Sequence, residues 1–246
     1  HSVLKCDVGF MIPESLKSVT TLTFDVFGTV LDLTGSLVSP TQKLMEELGA
    51  EISGAEFWPQ WRARQRIEQY QDSMMMLGHS GYLETCRRAL AYCLRVNGIE
   101  FNNRQIDRFM RVWENLRPYE DSVRGLERLK GKYRLVALSN GEPWLLKHLS
   151  DNRIKFEFHR IISVEEAGFF KPHPSVYRTA ARLLHSEPSE ILMVAAHSFD
   201  VMGARASGYR GVYVNRYGLP YEDSIQYKPD MVVDDFDGLT GNLLDP

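Results

Sequence analysis

The chain has 246 residues, 43% of them hydrophobic and 25% charged, and carries a formal net charge of −3. That length holds one large domain or two unequal ones, either able to bury a real core. The mildly acidic balance argues against a nucleic-acid or membrane-surface partner, and no apolar run approaches the roughly 18 residues of a spanning helix.

The stretch from His1 to Asp7 lacks the apolar segment of a secretory signal. Cys6, Cys86 and Cys93 show no framework spacing, which points to a cytoplasmic protein. Cys86 and Cys93, seven apart, read as one face of a helix packed in a core. Val19 to Phe27 predicts a buried strand that runs into Gly28-Thr29. The next stretch breaks pattern: Thr41 to Leu48, Glu56 to Leu77, Tyr82 to Val96 and Asn103 to Leu116 all read as helices. Glycines and Asn97-Gly98 punctuate them.

Beyond that block, strand-like runs return at Arg134 to Leu138, His159 to Val164, Ile191 to Ala195, Gly211 to Val214 and Met231 to Val233. Helical stretches such as Pro143 to Ser150, Pro174 to Leu184 and Asp200 to Ala206 lie between them. The alternation predicts an α/β protein: a Rossmann-like parallel sheet core covered on both faces, with an all-helical cap inserted after the first strand. The expected boundaries are 18–34 and 117–246 for the core and 35–116 for the cap.

Ligands of open parallel sheets bind outside the carboxyl ends of the strands. There the sequence places Asp25 and Thr29, then Ser139-Asn140-Gly141, then Lys171, and then His197-Ser198-Phe199-Asp200. Each has a plain structural alternative. Asp200 could cap the helix after it, Ser139-Asn140-Gly141 is a good turn, and Lys171 could be a solvated loop residue. Together, two carboxylates, an ammonium and an imidazole at successive strand ends predict a reaction centre. Asp25 can displace a leaving group to form an aspartyl ester, which water then hydrolyses. Lys171 would hold Asp25 ionised, and Asp200 would orient Lys171 or help activate the water. Backbone N–H groups around Phe27 and Gly28, with the Thr29 hydroxyl, would steady the carboxylate charge.

Asp25-Val26-Phe27-Gly28-Thr29, Leu138-Ser139-Asn140-Gly141, Lys171-Pro172 and the Asp200 loop resemble the four motifs of the haloacid dehalogenase superfamily, from about Thr20 to the C-terminus. Within it the chain looks like the type II L-2-haloacid dehalogenases. Phosphatases of the superfamily carry a second Asp where this chain has Phe27, and further acids in the fourth motif to hold Mg²⁺. The fourth loop here, Ala195 to Asp200, has one carboxylate, so neither a metal nor another cofactor is expected.

Trp61-Arg62-Ala63-Arg64-Gln65 resembles the family segment whose Arg cradles the departing halide. The resemblance therefore implies Arg62 as the cradle, with Asn140 and Phe199 as partners. Without it, Arg62, Arg64 and Arg66 would read as a solvated helix face. Tyr177 matches a family tyrosine near the substrate carboxylate, and Ser139 with amides near Phe27 would hold that carboxylate. The fourth loop departs from the better-known type II pattern by Ala195, Ala196, His197 and Phe199. His197 would take over the water-positioning network as a base or serve a structural hydrogen-bonding role.

The resemblance implies hydrolysis of short 2-haloalkanoic acids, with a haloacid and a halide ion as ligands and a homodimer through cap helices. The alternatives are the same aspartyl chemistry on fluoroacetate or a non-halogenated molecule, a Mg-dependent phosphatase, and a binding protein on an inactive scaffold. Gly78-His79-Ser80-Gly81 lacks the second glycine and the strand of a serine-hydrolase elbow. Asp234, Asp235 and Asp237 read as a solvated turn, and Met74 to Leu77 as cap core or a soft pocket wall.

Overall fold

The structure, a computed structural model, describes residues 12–221 and 226–245. Cys6 and the N-terminal stretch read above lie outside them. The elements in chain order begin with β1 (Thr21–Phe24), β2 (Leu31–Asp32), α1 (Leu33–Glu47), α2 (Gly54–Met74), α3 (Tyr82–Val96), α4 (Asn103–Met110) and β3 (Arg117–Pro118). There follow α5 (Glu120–Leu129), β4 (Arg134–Ser139), α6 (Pro143–Leu149), β5 (Arg160–Ser163) and α7 (Pro174–Leu184). The chain continues with β6 (Ile191–Ala195), α8 (Ser198–Ala206), β7 (Arg210–Val214), β8 (Met231–Val233) and α9 (Phe236–Leu244).

Six strands form one parallel sheet in the order β5-β4-β1-β6-β7-β8. Its central strands are buried on both faces because helices cover both, as the apolar runs Leu135–Leu138 and Ile191–Ala195 require. β4 and β6 flank β1 on opposite sides, so the chain order reverses at β1 and a crevice opens beyond its carboxyl end. The expected α/β core with a helical cap is thus the fold. The cap helices α1 to α4 leave and rejoin the core through the antiparallel ribbon of β2 and β3, Leu31 opposite Pro118 and Asp32 opposite Arg117.

Three local differences from the sequence reading have physical causes. β1 is shorter than Val19–Phe27, because past Phe24 the chain folds into a turn in which the Val26 carbonyl accepts from Val30 and Leu31. α1 starts at Leu33 instead of Thr41, since the Asp32 side chain accepts the Gly35 N–H at 2.8 Å and caps it. The helical stretch to Leu116 is α only to Met110 and tightens into a 3-10 segment over Arg111–Asn115.

Cys86 and Cys93 are buried free thiols within α3, as their spacing implied. Met74 to Leu77 are not cap core: all four are exposed, and Met74 alone edges a shallow groove beside Phe170. Asp235 caps α9 through the Gly238 N–H, and Asp237 pairs with Arg124. No helix among the described residues is long and apolar enough to cross a membrane.

Candidate active site

Asp25 follows β1 directly, and its N–H donates to the Val194 carbonyl of β6 at 3.0 Å, which fixes the residue at the reversal point of the sheet. Its two carboxylate oxygens have different surroundings. Oδ2 accepts from the Thr29 hydroxyl at 2.7 Å and lies 2.9 Å from His197 Nδ1. Oδ1 has the Lys171 ammonium at 3.3 Å. The Thr29 hydroxyl in turn accepts the Ala196 N–H at 2.9 Å, tying the first motif to the loop after β6. Gly28 has φ +89° there, and a Cβ on it would sit 2.8 Å from His197 Cε1 and 2.9 Å from the Tyr217 hydroxyl. Only glycine fits that turn.

Lys171 is buried between two acids: its Nζ lies 2.6 Å from Asp200 Oδ2 and 3.3 Å from Asp25 Oδ1. Asn140 Oδ1 accepts the Lys171 N–H at 2.9 Å and so sets the loop that delivers the ammonium. Asp200 lies in the first turn of α8, but the cap residue there is His197. The side chain of Asp200 points inward instead, to Lys171 and to the Tyr177 hydroxyl at 2.6 Å.

Burial works against the charged form of Asp25, but Lys171, His197 and Thr29 outweigh it and hold its carboxyl well below the usual range. Asp200 moves the other way. Burial, helped by the Asp25 charge, pushes it up to about 6 despite Lys171. Lys171 is held above its ordinary value, its burial outweighed by Asp200 and Asp25. Burial pushes His197 down to about 4, so the ring is neutral at neutral pH. An ionised carboxylate only accepts, so the proton of that neutral ring sits on Nδ1 and is donated to Asp25.

A small cavity of about 20 Å³ faces Asp25, lined by Phe27, Asn140, Lys171, His197 and Phe199 from the core and by Arg62, Arg66, Gln69 and Tyr82 from the cap. Arg62, Asn140, Phe199 and Phe27 are therefore brought together around one cavity with Asp25. Phe27 stacks on Tyr82 with ring centroids 4.3 Å apart, joining core to cap. Arg62 donates to Gln65 at 3.0 Å and Tyr82 at 3.3 Å and has no carboxylate partner among the described residues. Asn140 also donates to Gln69 at 3.2 Å.

Two expected substrate contacts lie elsewhere. Tyr177 is fully buried behind Asp200, so it orients that acid and does not reach the cavity. Ser139 is likewise fully buried, its hydroxyl accepting from the Gly141 N–H at 3.4 Å. The Gly28 N–H is committed to the Leu31 carbonyl at 2.9 Å and is not available to the Asp25 charge. Arg66, Gln69 and Tyr82 were missed. Arg62 and Arg66 are one turn apart on α2 and share a face, whereas Arg64 faces away, pairing with Glu68. Arg66 lies over the Phe199 ring at 5.2 Å, and its buried Nε has no hydrogen-bond partner among the described residues.

Among the described residues no group of three or more His, Cys, Asp or Glu side chains is placed to hold a metal ion. The geometry defines a hydrolase built around an ionised aspartate beneath a cationic cap. A family model for haloacid dehalogenase-like hydrolases matches residues 19–208, and the chain belongs to that family. Haloacetate dehalogenase H-2 of Moraxella sp. (strain B) is 28% identical over 226 residues, 91% of this chain and 97% of that protein. An (S)-2-haloacid dehalogenase of Xanthobacter autotrophicus is 30% identical over 199 residues, 80% of this chain and 76% of the other. The solved L-2-haloacid dehalogenase of Xanthobacter autotrophicus with chloropropionic acid covalently bound has a TM-score of 0.77 at 25% identity, covering 90% of this chain and 96% of that one.

Proposed function

We propose that the protein hydrolyses 2-haloalkanoic acids to 2-hydroxyacids and halide through a covalent ester on Asp25. The observation that carries this reading is the charge around the small cavity. Lys171, Arg62 and Arg66 face Asp25 and Asp200, which leaves one net positive charge, with both guanidiniums lacking a carboxylate partner among the described residues. A haloacid monoanion balances that charge, whereas a phosphate monoester dianion would overshoot it. Similarity to haloacid and haloacetate dehalogenases supports the same substrate class.

Asp25 Oδ1, the oxygen with the single longer contact, attacks the carbon that bears the halogen, and the carbon–halogen bond breaks as the new C–O bond forms. Arg62 and Asn140 receive the halide while its charge develops. Arg66, with its unpartnered Nε, takes the substrate carboxylate that Ser139 cannot reach. Oδ2 then becomes the carbonyl oxygen of the ester. Water adds at its carbon, and the negative charge that develops on Oδ2 falls between the Thr29 hydroxyl and the His197 Nδ1–H. His197 on this reading is an oxyanion donor and not the base, because its free Nε2 lies on the far side of the ring from Asp25. The tetrahedral intermediate then collapses: its Cγ–Oδ1 bond breaks, and the departing oxygen takes up the proton that the water gives up, relayed through the Lys171–Asp200 pair. The 2-hydroxyacid leaves and Asp25 returns to its ionised form.

The purified protein should release bromide from 2-bromopropanoate, and Asp25→Asn should lower the rate by at least a thousandfold, followed with a halide electrode. Release from the variant at the wild-type rate would sink the mechanism. No halide from any 2-haloacid would remove the activity itself.

A further inference from the structure

Next to the reaction cavity lies a second cavity of about 700 Å³, open to solvent, between α1, α2 and the loop 215–221. The two share Arg62, Arg66 and His197 as a common wall. Resting on the dehalogenase reading, we propose that this second cavity binds the apolar tail of the substrate, so that the preferred substrates are 2-haloacids carrying a medium-chain alkyl group and not haloacetates.

The argument starts from size. The space beside Asp25, about 20 Å³, holds little more than one water. A reactive carbon reaches Asp25 only if the rest of its molecule extends past the shared wall. Beyond that wall the lining is mostly carbon, from Leu33, Val38, Ala55, Trp58, Ala63 and Leu219, and its Tyr217 hydroxyl is already spent on the Gly28 carbonyl at 2.7 Å. The Trp58 Nε1–H is satisfied by the Thr34 hydroxyl at 3.1 Å, which leaves the indole as apolar wall. A two- or three-carbon acid has no use for an apolar chamber of this size, since it leaves those side chains against water. An alkyl tail removes that surface from water while, at the shared wall, Arg66 holds the carboxylate and Arg62 faces the halogen. Cationic heads at one end and apolar walls at the other are the arrangement an amphipathic anion needs.

Each buried methylene changes affinity by about fourfold, less what ordering the chain costs. Octanoate, which has no halogen to lose, should bind at least tenfold tighter than propanoate by calorimetry. Ala55 and Ala63 are exposed on α2, so a larger side chain there fills the cavity without entering the core. Ala55→Trp or Ala63→Trp should erase the octanoate advantage. The same variants should lower the ratio of kcat/KM for 2-bromooctanoate over 2-bromopropanoate by at least tenfold. Equal affinity for octanoate and propanoate overturns the proposal, as does an octanoate advantage that survives both tryptophans. If octanoate binds tightly and the tryptophans abolish it, but no bromoacid yields bromide, the tail site stands and the dehalogenase reading falls.

Discussion

At Asp25 the two carboxylate oxygens are chemically distinct, and that asymmetry carries the residue-scale consequences. His197 and Thr29 both serve Oδ2, so their removal should spare alkylation and slow hydrolysis of the ester. His197→Ala is expected to slow deacylation by roughly a hundredfold, the usual effect of losing one oxyanion donor. Intact-protein mass spectrometry after quenching should then find the ester-linked enzyme as the dominant species at steady state. An unmodified enzyme with slow halide release would instead place His197 in the first step. The pH dependence separates the two acids of the site. As pH falls through about 6, Asp200 takes a proton and Lys171 loses the anion that orients it, while His197 stays neutral down to about 4. The plot of kcat/KM should therefore fall on the acid side with an apparent pKa near 6 and stay flat above 7, where Lys171 keeps its proton. A limb near 6 that vanishes in His197→Ala would reassign it to the imidazole. Asp25, Lys171 and Asp200 were legible in the sequence because strand ends fix where a parallel sheet puts its ligands. Arg66 was not, since three arginines at alternate positions read as one charged surface until the helix is seen to divide them.

Helix α2 is the element on which both cavities depend, because it supplies Arg62 and Arg66 to one and Trp58 and Ala63 to the other. Its position is set at its first residue. Gly54 donates its N–H to the Gln42 side chain at 2.7 Å, and a Cβ on it would lie 2.5 Å from the Gln42 backbone N and 2.8 Å from the Val38 carbonyl. These neighbours are backbone of α1 and cannot swing aside. Gly54→Ala should therefore cost about 1–3 kcal/mol of stability, as overpacking does, read as a lower urea midpoint. The start of α2 was readable, since Ser53 and Glu56 form a capping box with reciprocal bonds. The first two turns of α1 were not. Gly35, Ser36 and Pro40 look like a loop, and the Asp32 cap that overrides them belongs to a strand of only two residues, too short to show a period.

Over the whole molecule, parallel sheet and helical insertion followed from alternating periodicity, but their joining did not. The ribbon that closes the cap onto the core pairs Leu31-Asp32 with Arg117-Pro118 across most of the insertion, and no local signal announces it. Direct bonds between cap and core then surround the site: Asn140 to Gln69, His79 to the Asn140 carbonyl at 2.9 Å, the Leu83 N–H to Glu142 at 2.9 Å and the Phe170 N–H to the Ser73 hydroxyl at 3.1 Å. Enclosed by that shell, the cation between the two carboxylates is the Lys171 ammonium. It lies 2.6 Å from Asp200 and 3.3 Å from Asp25, so it already neutralises the acids that a bridging divalent ion would need. A metal would need to displace a buried, hydrogen-bonded lysine and would find two carboxylates where a hard cation wants six oxygens. Halide release should thus be unchanged by EDTA treatment and should not rise with added Mg²⁺. Lys171→Ala tests the same geometry from the other side: it leaves Asp25 and Asp200 facing each other without a cation, so turnover should fall by at least a hundredfold. Loss of activity in EDTA that Mg²⁺ restores would mean that a metal, and not Lys171, carries the positive charge between these acids during turnover.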